Sequence, residues 1–453
     1  YTFPVAVADL IDNSIEADAT AVDVQVFLAA DGKPGVSIVD DGCGMDRDGL
    51  LNAMKYGAAE VDDPSRLGRF GLGLKIAPSG FCRRLTLVST PGGGVQEMFA
   101  TWDLDVVATE NRWIYELGEA TSSQADAFDE ARDLLAELSG ARPDKGTLVS
   151  WDKVDRLLVK RHGGEYADPA AALRTKVRDL REHLAMVFQR YLDPDDDRAR
   201  TVVIAVNGEK VEPWDPFCER WEQVEPELQR ELQLSKPDGE DLGSVFVRGF
   251  ILPHKNDMDD PEYGPTADIS LANQGVYVYR ENRMIEGPIW LGFTKEPHLN
   301  QLRIDISYQA AHDDYFTVDF KKKDLKIEPG LDERIREILA PLRAEANSRA
   351  RGRGRRPPGT FETEEEQKAI RSETSLEGLL REPGAVDSPR AEGLDLVRRN
   401  LRITGKEIRI MAGAKFSSAI QNWRNGKTGF PEPVVGGHSP LFNLTEVHAW
   451  LKA

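Results

Sequence analysis

A mixed α+β fold in more than one domain is what this sequence predicts, and three observations predict it. Residues 1–150 alternate between helix-period and strand-period segments. Residues 151–330 bring a second run of strand signals around one long helical stretch. The chain has 453 residues, 40% hydrophobic and 30% charged. That is enough apolar mass for real cores and, at ~150 residues each, for about three domains.

The elements follow in order. Residues 5–15 place apolar side chains at helical spacing, and 21–28 alternate so that Val22, Val24, Val26 and Leu28 share one strand face. Residues 36–39 form a short apolar strand that runs into acids and glycines. Strands are expected at 85–89 and 147–151, and the Ala/Glu/Leu-rich stretch 120–142 reads as a helix or a mobile insertion. Beyond it, strands are expected at 201–206, 244–252, 275–279 and 302–307, with a helix over about 170–191. Near Asn347 the composition breaks. Arg349, Arg351, Arg353, Arg355 and Arg356 lead to Pro357-Pro358 and then to Glu362, Glu364, Glu365 and Glu366. Residues 347–393 therefore read as a linker, partly helical at most. Residues 394–453 regain apolar spacing and form a small further unit. There are no internal repeats.

The net charge of −19 argues against a chain coated for polyanions, yet leaves room for a local basic module. No stretch approaches the ~20 apolar residues that span a bilayer, and no charged-then-apolar export segment opens the chain. It begins at Tyr1 rather than Met, so further residues are expected before it. Cys43, Cys82 and Cys218 are odd in number and far apart, with no C-x-x-C pair. Neither a disulfide framework nor a zinc site is expected, and a reducing, cytoplasmic setting is.

Four short motifs carry the chemistry. In Asp9-Leu-Ile-Asp-Asn13-Ser-Ile-Glu16-Ala17, Asp9 and Asn13 are four apart and share a helix face. One can act on a water while the other holds a cation; a solvated face is the plain alternative. Asp40-Asp41-Gly42-Cys43-Gly44-Met45 follows a strand, where a buried carboxylate can accept from an exocyclic amine such as adenine's and glycines permit close approach. A hairpin turn would look the same. Gly68-Arg69-Phe70-Gly71-Leu72-Gly73-Leu74-Lys75 opens an apparent helix near Leu72, and amides at a helix start suit phosphate. It is neither a G-x-x-x-x-G-K-[ST] loop nor a G-x-G-x-x-G fingerprint. Gly146-Thr147 enters the strand at 147–151.

Each motif is weak alone, but the ordered set resembles the GHKL superfamily of ATPases: gyrase-type topoisomerases, heat-shock chaperone ATPases, histidine kinases and MutL. The MutL and MORC types look nearest. The resemblance covers about 1–155 well and 156–345 loosely. It implies a Bergerat-type two-layer α/β sandwich over 1–155, an S5-like α+β transducer domain over 156–346, and ATP with Mg²⁺ as ligands. Position by position, it implies Asn13 on the magnesium, Asp40 on the adenine amine, Gly42 and Gly44 at the adenine floor, and Met45 among the nucleotide-binding residues. Gly68, Gly71, Leu72, Gly73 and Lys75 would hold the triphosphate under a lid at 55–70, and Thr147 would support the adenine side. The general base of the family is glutamate where this chain has Asp9, so Asp9 is the expected base and turnover is expected to be slow. A binding switch that barely hydrolyses stays open. Asp12, three positions on, is expected to point elsewhere. The second domain's cation for the terminal phosphate is expected at Lys295, with Lys321, Lys322 and Lys323 as competitors and a surface lysine as the plain reading. His298 reads as a loop residue.

The C-terminal unit resembles MerR- and excisionase-like winged helix-turn-helix modules. Residues 403–408 read as a helix with Thr404 as N-cap, 416–424 as a second helix, 426–433 as the turn into a wing, and 444–451 as a closing helix. Ser417, Ser418, Gln421, Asn422 and Arg424 would then face a DNA groove. Nine bases against four acids in 394–453 give +5, the footprint of phosphate contact; a helical protein-docking module is the alternative. The expected whole is a DNA-associated ATPase whose ATP-bound form closes a homodimer clamp. A non-hydrolysing ATP-sensing DNA regulator is the main rival. A histidine kinase would need a phosphoacceptor helix before Asn13, and a chaperone would not need a wing.

Overall fold

The computed structural model describes residues 2–55, 78–159, 164, 166–236, 239–318, 325–353, 402–404 and 441–443. The chain divides into two compact units, Tyr1–Glu362 and Thr363–Ala453.

The first unit opens with helix α1 (Phe3–Glu16), whose proline in the first turn costs no intrahelical hydrogen bond. Strand β1 (Ala21–Leu28) pairs antiparallel with β2 (Pro34–Asp40), in the register Val22↔Asp40 to Leu28↔Pro34. There follow α2 (Arg47–Met54), β3 (Cys82–Thr90), β4 (Met98–Asp103), α3 (Leu104–Glu110), β5 (Glu116–Glu119), α4 (Ser122–Ser139) and β6 (Gly146–Val154). Then come α5 (Pro169–Val187), α6 (Gln189–Leu192), β7 (Val203–Val206) and the short β8 (Glu209–Lys210). The sheet order is β5-β4-β3-β6-β2-β1-β7-β8. Most neighbours are antiparallel; β7 joins β1 in parallel. A strand from beyond residue 155 thus completes the sheet that holds the N-terminal motifs.

Strand alternation decides the layers. Val22, Val24 and Val26 turn with Ile38, Leu85, Leu87 and Trp151 towards α1 and α5. Ala21, Val39, Val88 and Leu148 turn the other way, onto Phe128, Ala131 and Leu135 of α4. The 120–142 stretch is therefore a helix. Its capping box (Thr121 with Gln124) starts it, and Gly140 at φ +83° ends it. It adds a cover on the face that a two-layer sandwich leaves bare.

A second sheet has the order β12-β11-β13-β10-β9, built from β9 (Leu228–Ser235), β10 (Asp241–Ile251), β11 (Gly275–Arg280), β12 (Arg283–Ile289) and β13 (Leu302–Tyr308). One face carries an aromatic cluster of Phe217, Trp221, Phe250, Tyr277 and Tyr279, with Tyr263 from helix α7 (Tyr263–Ala267). Helix α8 (Pro329–Arg353) lies so close to β10 that a Cβ at Gly249 would come within 2.2 Å of Leu342 Cδ2. α8 runs past residue 347, where composition placed the start of the linker, into the arginine–glycine run. A small hairpin, β14 (Phe316–Val318) with β15 (Leu325–Ile327), precedes it.

In the second unit, Arg402–Thr404 pairs antiparallel with Leu441–Asn443. Ile403 and Thr404 are thus in a strand, where a helix capped by Thr404 was expected; residues 405–408 lie outside the described residues. Ile403 and Thr404 are β-branched and suit a strand, but the partner strand lies 37 residues on and leaves no local signal. The remaining helix-turn-helix expectations lie outside the described residues.

Candidate functional site

α1 presents its polar residues along a buried strip. Asp9 and Asp12 are buried and Asn13 half-buried, with Asp9 and Asn13 one turn apart. β2 ends at Asp40, whose carboxylate lies against α1. Its Oδ2 accepts the Ser14 hydroxyl at 2.8 Å and its Oδ1 the Gly42 amide at 3.0 Å. The Thr147 amide, across the β2–β6 ladder, donates to it as well. Burial pushes the Asp40 carboxyl up to about 6, and the Asp41 charge adds to this, while Ser14, Gly42 and Thr147 pull the other way. A carboxylate offers about four acceptor positions. Three internal donors leave one for a ligand N–H.

The loop after Asp40 is fixed by the chain itself. Asp41 turns back to accept the Thr20 amide at 2.6 Å and the Ala21 amide at 2.9 Å. The Cys43 amide donates to the Ala17 carbonyl at 2.7 Å. The Met45 amide donates to Ser89 Oγ at 2.8 Å, and that hydroxyl donates to the Gly146 carbonyl at 2.9 Å and lies 2.8 Å from Thr147 Oγ1. Gly44 sits at φ +65°, and a Cβ there would lie 1.9 Å from the Thr90 carbonyl oxygen. Its glycine is required by the backbone of β3 whether or not a ring lies above it.

A cation reaches α1 from the second sheet. β11 and β12 join through Glu281 and Asn282, both at positive φ (47° and 67°), which is how a two-residue hairpin matches strand twist. The next residue, Arg283, enters the polar strip of α1. Its Nε donates to Asp12 Oδ1 at 3.0 Å, and its Nη2 lies 3.0 Å from Asp12 Oδ2 and 3.9 Å from Asp9 Oδ1. Burial opposes its charge, but Asp12 and then Asp9 outweigh that and hold its pKa above the ordinary arginine value. Asp12 therefore does not point away from Asp9: residues three apart on a helix are neighbours, and both carboxylates meet one guanidinium.

Residues 1–134 match the model of the family described as histidine kinase-, DNA gyrase B-, and HSP90-like ATPases. This N-terminal region is a GHKL-type ATPase domain. Among curated proteins, the chain is 36% identical over 105 residues to the DNA mismatch repair protein MutL of Paramagnetospirillum magneticum, covering 22% of this chain and 16% of that one. It is 36% identical over 74 residues to the mouse (Mus musculus) ATPase MORC2B, covering 16% and 7%. To Protein MICRORCHIDIA 3 of Arabidopsis thaliana it is 35% identical over 76 residues, covering 16% and 13%. The matched segments thus span less than a fifth of these relatives' lengths.

Around the GHKL domain the expected residues fall into three groups. Asp9, Asn13, Asp40, Gly42, Gly44, Met45 and Thr147 come together along α1, the loop after β2 and the start of β6. Lys295 is exposed in the segment between β12 and β13, while Arg283 is the second-sheet cation that meets the α1 carboxylates. Gly68, Gly71, Leu72, Gly73 and Lys75 lie outside the described residues, as do Lys321, Lys322, Lys323, the lid beyond Lys55, and Ser417, Ser418, Gln421, Asn422 and Arg424. Sequence reasoning missed Ser14, Ser89 and Arg283. Ser14 was legible in principle: it lies four residues after Leu10 on α1, next to Asn13, on a motif already singled out. Among the described residues no helix is long and apolar enough to cross a membrane.

Proposed function

We propose that the chain binds ATP with magnesium in its GHKL domain and hydrolyses it slowly to ADP and phosphate, ATP gating a dimer clamp that works on DNA. The observation that carries this reading is Asp40: a desolvated carboxylate with one acceptor position left over, at the end of a strand and beside the Asp9/Asn13 strip. The adenine amine is a donor that fits that position. Asn13 offers a side-chain carbonyl to the metal. When bound, magnesium neutralises charge on the phosphates. Asp9 accepts the proton of the attacking water, and because aspartate is one methylene shorter than the glutamate usual in this superfamily, turnover is slow.

The finer organisation belongs to the same reading: an S5-like transducer built on the second sheet, a linker after Arg353, and a winged helix-turn-helix over 394–453 whose Ser417, Ser418, Gln421, Asn422 and Arg424 face DNA. The basic balance of that last segment supports DNA contact, as does a DNA mismatch repair protein among the relatives.

Steady-state turnover and calorimetry on the full chain test the ATP half. Asp9→Asn is expected to lower kcat at least ~100-fold while ATP affinity stays within about threefold, since the base acts only in the transition state. Unchanged turnover removes Asp9 from the mechanism, and no heat with ATP for the folded wild type removes the whole reading. Deleting 394–453 tests the DNA half. Retention on duplex DNA at moderate salt is expected to fall sharply, with a shallower salt dependence; equal retention ends the DNA assignment.

A further inference from the structure

The buried guanidinium of Arg283 stands between two carboxylates, and only one of them is needed to neutralise it. Asp12 takes its Nε and Nη2 as a two-point pair, both at 3.0 Å. The same Nη2 is 3.9 Å from Asp9. The place of the guanidinium does not depend on Asp12 alone. The hairpin tip that carries it is held by the Tyr191 hydroxyl donating to the Glu281 carbonyl at 2.8 Å, and by Asn282 Nδ2 donating to the Arg198 carbonyl at 2.6 Å. The Arg283 Nη1 donates to the Met284 carbonyl at 3.1 Å. The fork is thus held from the second sheet, with its Nη2 3.9 Å from the Asp9 carboxylate.

We infer that Arg283 is a positioning residue: it fixes the Asp9 carboxylate in its working orientation and makes that orientation depend on the docking of the β11–β12 hairpin against α1. This rests on the hydrolytic reading above. A base with a side chain one methylene short has less reach in reserve, and a displacement of ~1 Å can cost about 100-fold in rate. A fixed cation beside it limits such displacement. Neutralising Asp12 is a separate task that needs no arginine, because a buried ion pair is commonly replaceable by neutral groups.

The two tasks are separable by experiment. Arg283→Met alone leaves Asp12 buried without its fork, so the deciding protein is the full chain with Asp12→Asn and Arg283→Met together, in which that charge is gone. Arg283→Lys is the companion, since it keeps the charge and loses the fork. ATP affinity by calorimetry and kcat by phosphate release are measured for each, with melting curves to establish folding. The double variant is expected to bind ATP within about threefold of wild type and to turn over at least ~10-fold more slowly, with Arg283→Lys in between. Wild-type kcat in the double variant overturns the inference, because neutralising Asp12 would then be all that Arg283 does. So does a loss of kcat matched by an equal loss of ATP affinity. So does a wild-type chain that binds ATP but never turns it over, which has no base to position. If the double variant does not fold, Arg283→Lys decides: wild-type kcat there overturns the inference. A wild type that does not bind ATP sinks the functional reading first, and the inference with it.

Discussion

Asp40→Asn should weaken ATP binding about 100-fold, and the loss should depend on pH in a way that identifies the carboxylate. Asparagine keeps one acceptor oxygen and brings an NH₂ into a pocket where Ser14, Gly42 and Thr147 all donate. At least one donor is left facing another, at ~1–3 kcal/mol each, and the charge-assisted bond to the adenine amine is lost as well. Together these approach the ~2.8 kcal/mol that corresponds to about 100-fold. The pH dependence follows from the raised pKa. The ionised form accepts from the amine more strongly than the protonated one, so wild-type affinity should fall as pH drops through about 6, while Asp40→Asn should show only the titration of the nucleotide phosphates common to both. Stability should move the opposite way. An unfolded aspartyl titrates near ~3.9, below the folded value of about 6. Between those values the folded state binds more protons, so lowering the pH through that window adds stability, and raising it through about 6 removes it. Asp215, half-buried and also pushed up to about 6, contributes in the same direction, so the quantity to measure is the difference between wild-type and Asp40→Asn melting curves from pH 7 to pH 4. Parallel curves, or an equal loss of ATP affinity in both proteins at low pH, would remove Asp40 from the adenine site.

What could be read in advance was what is local. The valines of β1 alternate over eight residues and their partners on β2 are a short turn away, so both strands are legible from period alone. The motif residues of α1 and of the loop after β2 are likewise each within one short segment. Arg283 was not legible, because its partner Asp12 is 271 positions earlier, and nothing on a lone Arg after Glu-Asn says which helix it will meet. The expectation that Asp12 faces elsewhere failed on helix geometry, not on lack of data: 300° of rotation over three residues leaves the two side chains adjacent. β7 was expected as a strand but not as a parallel partner of β1, since pairing over about 180 residues is a property of the assembled sheet. The strand at Arg402–Thr404 was missed because its partner at Leu441–Asn443 lies far along the chain. For Arg283 and β7 the segment itself was readable and its partner was not.

The second large effect is expected at Arg190, which ties helix α6 to the second sheet through Asp305 of β13. Its Nη2 donates to Asp305 Oδ2 at 2.9 Å and its Nη1 to Ser307 Oγ at 3.0 Å, and the guanidinium lies 3.6 Å from the centre of the Tyr279 ring. Both charged groups are almost wholly buried, at 1% and 2% exposure. Arg190→Met should therefore cost ~3–5 kcal/mol, since it leaves Asp305 inside with Arg248 as its remaining cation. Burial alone would raise the Asp305 carboxyl; Arg190 and Arg248 outweigh it and hold it below the usual carboxylate range. A depressed folded-state value contributes stability that is present above the unfolded value near ~3.9 and lost as the pH falls through the folded one. Without Arg190 the carboxyl protonates at higher pH, so the gap between wild type and Arg190→Met should be widest near neutrality and should narrow in acid. Adding Asp305→Asn to Arg190→Met removes the stranded charge and should return part of the loss, a coupling of ~0.5–3 kcal/mol in a double-mutant cycle. Strict additivity would mean that the pair does not act as a unit. The position of this tie gives the cycle a functional reading too. Arg190 Nη1 also donates to Asn282 Oδ1 at 3.3 Å, at the tip of the hairpin that carries Arg283. Loosening it should raise hydrogen exchange in β11 and β12 before global unfolding, and should lower kcat without an equal loss of ATP affinity, because what is disturbed is the guanidinium beside Asp9 and not the Asp40 pocket.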